Sequence, residues 1–189
     1  TIAILLGNIS DMEEELEAVD NVIEMYYMMF VQIQNDINWQ NQTRDLSNAN
    51  LNGADLTNAY LFGANLFDAN LYNADLRYAD LRDAYLRYAD LRYADLSFAN
   101  LNSADLTGAD LRYADLTGSD LTGADLSYAD LSDVHAINLQ ECPAYLPTNW
   151  QCLRNNLVGP YANLSFADLS GADLSGADLT GVNWDWATC

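Results

Sequence analysis

The chain has 189 residues, enough for one domain, and its formal net charge is −21, from 28 acidic residues against seven arginines and no lysine. A surface this acidic repels nucleic acid and anionic membranes. We therefore expect no direct nucleic-acid binding, and an electrostatically bound protein partner should have a basic surface. No stretch approaches the roughly 18–20 apolar residues that a membrane helix needs, so we expect no membrane insertion.

Residues 1–44 are predicted to form an N-terminal α-helical segment. Ser10 or Asp11 suits the N-cap, and glutamates follow in the first turn, where the helix dipole favours negative charge. Apolar residues then recur in alternating steps of four and three, which is a heptad seam. They are Met12, Leu16, Val19, Ile23, Tyr26, Phe30, Ile33 and Ile37.

This helical segment has two interpretations. It caps the open end of the repeat that follows, or its seam forms a dimerising coiled coil. The positions that flank the seam carry no lysine, so the usual pairing charges of a coiled coil are missing and the cap is favoured. We therefore expect a monomer, with a homodimer through the N-terminal helix as the alternative.

Residues 45–136 form a repeat in which leucine returns every fifth residue. Alanine stands two places before each leucine after the first, with Ser119 the one substitute, and the residue between them is usually Asp or Asn. Residues two apart point to the same side of an extended segment, so alanine and leucine share a side and the other two residues must turn the chain. Four such sides close a square coil of about 20 residues, and coils stack at about 4.8 Å.

The motif Ala-(Asp/Asn)-Leu-x-x resembles the pentapeptide repeat family, whose richest known source is cyanobacteria. The resemblance implies an all-β solenoid, a right-handed quadrilateral β-helix of about five to six coils, with leucine and alanine pointing inward. Residues 162–184 add a final coil after an interruption, and residues 185–189 form a C-terminal tail. Val182, Trp184 and Trp186 stand in place of leucine there, and we expect them to cover the open end of the stack.

The outward side chains can be assigned to columns by stepping 20 residues. Arg92 then stacks with Arg112 and Tyr72, Tyr93 stacks with Tyr113, and Tyr88 and Tyr128 share a column with Gly108 between them. These residues either form surface ion pairs and Arg–Tyr stacks that relieve repulsion between stacked aspartates, or make a recognition band. The candidate interaction surface comprises Arg77, Arg82, Arg87, Arg92, Tyr93, Arg112, Tyr113 and Trp150.

The Asp column is expected to be structural, because Asp before leucine can bond a backbone amide at the turn. A calcium site needs six or more converging oxygens, and outward columns do not converge. We therefore expect no metal site and no cofactor.

Residues 137–161 interrupt the period and contain all three prolines, Trp150, Cys142 and Cys152. We predict an inserted loop, and the ten-residue spacing suits a Cys142–Cys152 disulfide. A partner-binding or redox-sensing loop and a pair of free thiols are the alternatives. A disulfide would favour the periplasm or thylakoid lumen, and its absence the cytoplasm. Cys189 is expected to be a free thiol.

We recognise no arrangement of catalytic residues in this sequence. His135 is the only histidine, and we interpret it as a surface residue at a degraded Asp position. A leucine-packed interior leaves no room for a substrate, so we predict a non-enzyme. The favoured function is a structural or protein-interaction module with rigid acidic faces. The alternative, implied by the resemblance, is a DNA mimic that binds a type II topoisomerase.

Overall fold

The computed structural model describes residues 45–188, so the predicted helical segment and Cys189 lie outside the described residues. From Asp45 to Asp125 each residue at the Asp position forms a parallel β-bridge with a residue 20 or 21 positions further on. One such column reads Asp45, Asn65, Tyr85, Asp105, Asp125 and Tyr145. Since every fifth residue starts a bridge to the next coil, four pentapeptides complete each turn, as the period of five predicts.

Backbone hydrogen bonds hold neighbouring coils together on every side. Leu46 N donates to Asn65 O at 2.7 Å, and Asn70 N donates to Ala49 O at 2.9 Å. The same two bonds recur along the stack, so each short side donates to, and accepts from, both neighbouring coils. The coils therefore form a β-helix even though each side contributes a one-residue bridge.

The two residues after each leucine form a corner, and we call them the first and second corner positions. The corner closes when the alanine amide donates to the leucine carbonyl three residues earlier, as from Ala49 N to Leu46 O at 3.0 Å. The second corner residue has a positive φ, which is 60° at Tyr93 and 69° at Gly108. This region suits Gly, Asn and Asp and is unfavourable for a bulky side chain.

The Asp side chains stabilise these corners, as predicted. Oδ1 of Asp75 accepts from the backbone N of Arg77 at 3.2 Å, and Oδ1 of Asp115 accepts from the backbone N of Thr117 at 2.8 Å. The carboxylate thus satisfies an amide at the turn. Asparagine does the same at Asn70, which explains why the two residue types alternate freely.

The interior of the stack is filled by leucine and alanine. The leucines from Leu66 to Leu126 are fully buried, and the alanines between them are at most 1% exposed. At the two ends of the described chain the inward leucines, such as Leu51 and Leu174, are only partly buried. The predicted inward positions are therefore confirmed, and burial is deepest in the middle coils.

Ser119→Ala is expected to raise the free energy of unfolding by about 1 kcal/mol, measured by urea denaturation. Ser119 is fully buried at an alanine position, and its Oγ has no hydrogen-bond partner in the described part of the chain. Ser97→Ala is the matched control, because the Ser97 hydroxyl donates to Asp95 and its removal should give no gain. Equal gains in both variants would contradict the interpretation.

The interruption remains partly in the stack. Gly118 N donates to Ile137 O at 3.0 Å, Glu141 pairs with Asp120, and Tyr145 pairs with Asp125. The ladder then stops and a hairpin follows, made of β1 (Gln151–Leu153) and β2 (Asn156–Val158), which pair antiparallel. Cys142 and Cys152 form a disulfide that ties the hairpin to the stack, as predicted.

The final coil resumes with Asn163, whose N donates to Val134 O at 2.9 Å. This pair is 29 residues apart where the regular stack has 21, so the interruption adds only eight residues to the path. The reason is that residues 137–145 still supply backbone bonds to the coil below.

Two hydrophobic clusters form the core, one in the main stack and one in the final coil, and Trp150 packs against both. A Cβ at Gly159 would come within 2.3 Å of the Trp150 ring, so this close approach requires glycine. In the final coil Val182 and Trp184 pack on the second cluster, but Trp186 is 81% exposed at a corner with φ 59°. The expectation that Trp186 covers the open end is therefore wrong, because it occupies a corner position and not a leucine position.

Candidate interaction surfaces

Arginines at the first corner position join neighbouring coils through aspartate. Arg92 Nη2 lies 2.6 Å from Asp90 Oδ2 in its own coil, and its Nε lies 3.6 Å from Asp110 Oδ2 in the next. Arg112 repeats the arrangement with Asp110 at 2.6 Å and Asp130 at 3.5 Å. Positive and negative groups therefore alternate up this face, and the guanidinium groups offset the repulsion between aspartates stacked at about 4.8 Å.

Tyrosine rings continue the same face beside these ion pairs. The guanidinium of Arg92 lies 5.3 Å from the ring centroid of Tyr72, which is 5.5 Å from that of Tyr93. Tyr93 and Tyr113 stack with centroids 4.8 Å apart and an interplanar angle of 9°. We call Tyr72, Arg92, Tyr93, Arg112 and Tyr113 the Arg–Tyr ladder.

The arginines of the ladder are paired with aspartates on the same face. The hydrogen bonds that Arg92 donates to Asp90 hold the pKa of Asp90 below its usual range. The same interaction raises the pKa of Arg92. Arg77 acts in the same way on another face and lowers the pKa of Asp75 to about 2. Because these side chains are between 29% and 48% exposed, solvent screens the pairs, which contribute little to stability and mainly neutralise a column of like charges.

The remaining predicted arginines lie on the other three faces of the stack. Arg77 pairs with Asp75 at 2.5 Å, and Arg82 pairs with Asp80 at 2.7 Å. Arg87 differs, because Tyr85 stands where its own aspartate would be, and its nearest carboxylate is that of Asp105 at 3.9 Å. The structure therefore brings together Arg92, Tyr93, Arg112 and Tyr113 and separates them from Arg77, Arg82 and Arg87.

Trp150 lies apart from all of these residues. It is partly buried between the two hydrophobic clusters, inside the loop that the disulfide closes. Its position joins the main stack to the final coil, with little of the ring left for a partner. Asn156 has a similar joining role that nothing in the sequence signalled. It is 1% exposed, its Nδ2 donates to Arg154 O at 2.8 Å, and its Oδ1 accepts from Asn138 N at 3.1 Å.

His135 is not a simple surface residue. Its side chain is 23% exposed and lies in the Asp column, with Nδ1 3.6 Å from Asp115 Oδ1 and 3.2 Å from Thr117 Oγ1. Its Nε2 lies 3.1 Å from Ser165 O in the final coil. Protonated imidazole can donate from both nitrogens at once, so the charged form joins the main stack to the final coil.

Stability is expected to fall through His135 as the pH rises above about 6.5. The hydrogen bond to Asp115 raises the pKa of His135 above its ordinary 6.5, although burial opposes the shift. A raised folded-state pKa means that the stabilisation is fully present below the unfolded pKa and is lost as the pH rises through the folded-state pKa. His135→Asn should remove this step, as measured by melting temperature against pH. The same slope in the variant would contradict the assignment, since the chain has no other histidine.

An open polar cleft of about 340 Å³ lies where the hairpin turn meets the final coil, lined by Asn138, Arg154, Asn155 and Asp168. Nearby Arg154 contributes to the lowered pKa of Asp168, after the hydrogen bonds from Ser170 and Thr188. Within residues 45–188 no three His, Cys, Asp or Glu side chains are placed to hold a metal ion. The same residues contain no helix long and apolar enough to cross a membrane.

Comparison with known proteins gives a consistent family. A model of pentapeptide repeats matches eight copies in this chain, at residues 45–77, 64–102, 99–135 and 160–187. No curated protein matches the sequence. The matched ranges cover more than half of the chain and coincide with the ladders described above.

Solved structures show the same similarity. A pentapeptide repeat protein from the Arabidopsis thaliana thylakoid lumen is 27% identical, with 53% of this chain and 70% of that chain covered and a TM-score of 0.52. HetL, a pentapeptide repeat protein involved in heterocyst differentiation regulation in the cyanobacterium Nostoc, is 33% identical over 76% of this chain and 73% of its own, with a TM-score of 0.40. QnrB1, a plasmid-mediated fluoroquinolone resistance protein, is 19% identical over 73% of this chain and 82% of its own, with a TM-score of 0.35.

Proposed function

We propose that this chain, which belongs to the pentapeptide repeat family, is a non-enzymatic protein-interaction module built on the right-handed quadrilateral β-helix of that family. The proposal rests on the different roles of the inward and the outward side chains. Leucine and alanine fill the interior, and the outward residues form straight columns with a fixed spacing. Such an interior supports flat, rigid faces, and rigid faces lower the entropic cost of binding a partner. The scaffold in this proposal has five to six coils after a helical segment at residues 1–44.

The Arg–Tyr ladder is the proposed recognition surface. Tyrosine and arginine are the residue types in which binding energy concentrates, and Tyr93 and Tyr113 are each about half exposed. The aspartates beside them leave the face net negative, which favours a partner with a basic surface.

Alanine at Arg92, Tyr93, Arg112 and Tyr113 is expected to weaken capture of a partner at least tenfold while the fold stays intact. Affinity capture from native extract with quantitative mass spectrometry measures the loss, and circular dichroism checks the fold. The matched control replaces Arg77, Tyr78 and Phe98, which also pair and stack but lie on another face. A partner that is retained by the ladder variant and lost by the control variant would discard this surface.

A DNA mimic is the second candidate, and the net charge of −21 is the observation that favours it. Against it, guanidinium groups interleave the aspartates, so long runs of uncompensated negative charge are broken on the ladder face. A gyrase supercoiling assay distinguishes the two proposals. Inhibition or protection at micromolar protein would favour the mimic, and no effect would favour the interaction module.

The compartment in this proposal is an oxidising one, the periplasm or the thylakoid lumen, and the Cys142–Cys152 disulfide supports it. One structural relative comes from a thylakoid lumen. Alkylation of the protein from native cells before and after reduction tests the proposal by mass, and two freely alkylated thiols would place the protein in a reducing compartment.

Residues 1–44 are proposed to cap the module and keep it monomeric, because the acidic flanks of their heptad seam carry no lysine to pair with. Light scattering of the protein with and without residues 1–40 tests this. A dimer that becomes monomeric on truncation would favour the coiled coil instead.

A further inference from the structure

A second face, next to the Arg–Tyr ladder, is formed by residue 145 and the pentapeptides that begin at residues 65, 85, 105 and 125, and we call it the aromatic face. Five rings project from it, and each is between 41% and 86% exposed. They are Phe67, Tyr85, Tyr88, Tyr128 and Tyr145. Its arginine, Arg87, has no aspartate in its own pentapeptide and reaches Asp105 only at 3.9 Å. The charged groups of this face are thus less closely paired than those of the ladder face.

Two of these rings occupy a backbone conformation that disfavours them. Tyr88 and Tyr128 are second corner residues with φ of 60° and 62°, where Gly, Asn or Asp would be less strained. On the ladder face, stacking of Tyr93 on Tyr113 compensates for the same conformation. At Tyr88 an edge contact with the Phe67 ring at 5.8 Å and the Arg87 guanidinium at 5.8 Å from the ring centroid compensate in part. No ring in residues 45–188 stacks on Tyr128, which is 86% exposed. A corner residue that is held in a strained conformation without a stabilising contact indicates a functional role.

The spacing of these two rings is also distinctive. On the ladder face and on the Tyr78–Phe98 face, aromatic corner residues lie in adjacent coils and stack into a continuous strip. On the aromatic face Gly108 separates Tyr88 from Tyr128, so the two tyrosines lie two coils apart, at about 9–10 Å. A polyproline II helix repeats every three residues at about 3.1 Å each, which gives about 9.3 Å between residues on the same side. Prolines at positions i and i+3 therefore match the two rings.

Charge selects between proline-rich partners. Asp105 and Asp125 lie between Tyr85 and Tyr145 in one column of this face, and Asp125 accepts a hydrogen bond from the backbone amide of Ser127 without an arginine partner. Residues 45–188 as a whole carry 20 acidic residues against six arginines. A basic side chain between the prolines would therefore be attracted to this face.

We propose that the aromatic face binds a basic, proline-rich segment in the polyproline II conformation, lying along the axis of the stack with its prolines against Tyr88 and Tyr128. Aromatic ridges are a common surface for such segments, because the preformed helix loses little entropy on binding. This inference rests on the proposed interaction function but uses a different face from the Arg–Tyr ladder. Loss of one surface leaves the other intact, so the two proposals fail separately.

Fluorescence anisotropy with a labelled peptide of repeated Pro-Pro-Arg triplets tests the proposal on the full chain. Saturable binding is expected at about 0.15 M salt, where long-range attraction is screened. The variant Tyr88→Asn/Tyr128→Asn should bind at least tenfold more weakly. Asparagine tolerates the positive φ, so this variant is expected to keep its corners and its fold. The matched control, Tyr78→Asn/Phe98→Asn, removes two corner rings from the opposite face of the stack and should bind within about twofold of the native chain.

Two further peptides separate shape from charge. A Gly-Ser-Arg repeat keeps the charge without the polyproline II helix, and a Pro-Pro-Glu repeat keeps the helix with the opposite charge. Both are expected to bind at least tenfold more weakly than Pro-Pro-Arg. Equal binding of either peptide, equal loss in both double variants, or no saturation by Pro-Pro-Arg at millimolar concentration would each overturn the proposal.

Discussion

Leu96→Ala is expected to lower the free energy of unfolding by about 3–5 kcal/mol. Leu96 is fully buried in the middle of the stack, with Leu76 and Leu116 in the coils on either side. The coil spacing is held by backbone bonds such as that from Leu96 N to Asp115 O at 2.7 Å, so the walls cannot collapse into the space that the side chain leaves. A cavity that cannot relax gives losses at the upper end of the usual range. Urea denaturation followed by circular dichroism measures the change.

The matched control for this prediction is Leu174→Ala in the final coil. Leu174 occupies the same position of the repeat but is only partly buried, so less apolar surface is lost and the coil can relax towards solvent. We expect a loss of about 1 kcal/mol at this site. Similar losses at the two positions would contradict the view that burial increases from the ends of the stack towards its centre.

The regular part of this fold could be predicted from the sequence because one rule applies to every residue in it. A period of five with two inward residues determines the corner, and four corners determine that residue i lies beneath residue i+20. The contacts of Tyr93 with Tyr113 and of Arg92 with Tyr72 follow from that rule, and the structure confirms them. The aspartate–amide bonds at the corners follow from local chemistry alone.

The rule fails where the period ends, and the reason is physical. Coils are held together by backbone groups, which every residue supplies, so residues 137–145 can stay in the ladder although leucine does not recur there every fifth residue. The sequence shows where the side-chain period is lost, but it does not show whether backbone pairing is lost at the same place. For the same reason His135 looked like an isolated surface residue, whereas it contacts Ser165, which is 30 positions further along the chain.

The candidate surfaces show the same limit. Stepping 20 residues placed Tyr88, Gly108 and Tyr128 in one column, but it could not show that Tyr128 lacks a stacking partner. Exposure and φ are needed to distinguish a ring that supports the corner from one that does not. Trp150 shows the converse, since a tryptophan in an irregular loop suggested recognition and the structure places it between two core clusters.

Replacing Cys142 and Cys152 with serine is expected to destabilise the hairpin and the final coil by roughly 3 kcal/mol. The disulfide closes a loop of ten residues that contains Trp150, the side chain that packs against both hydrophobic clusters. Without the disulfide the unfolded chain gains conformational entropy. In the folded state Trp150 is then held by packing alone. The middle coils of the main stack are expected to keep their stability, because the loop meets the ladder at the end of the stack, where Tyr145 pairs with Asp125.

Amide hydrogen exchange locates this effect within the full chain. The Leu157 amide, which donates to Ala136 O at 2.9 Å, joins the hairpin to the stack and should exchange at least about 100-fold faster in the double serine variant. The Asp95 amide, which donates to Ala74 O at 3.0 Å in the middle coils, is the internal control and should be unchanged. Reduction of the native protein should reproduce the pattern, and a reductant should have no effect on the variant. If both amides accelerated equally, the disulfide would stabilise the stack as a whole. Unchanged exchange at Leu157 would mean that packing of Trp150 is sufficient to hold the hairpin.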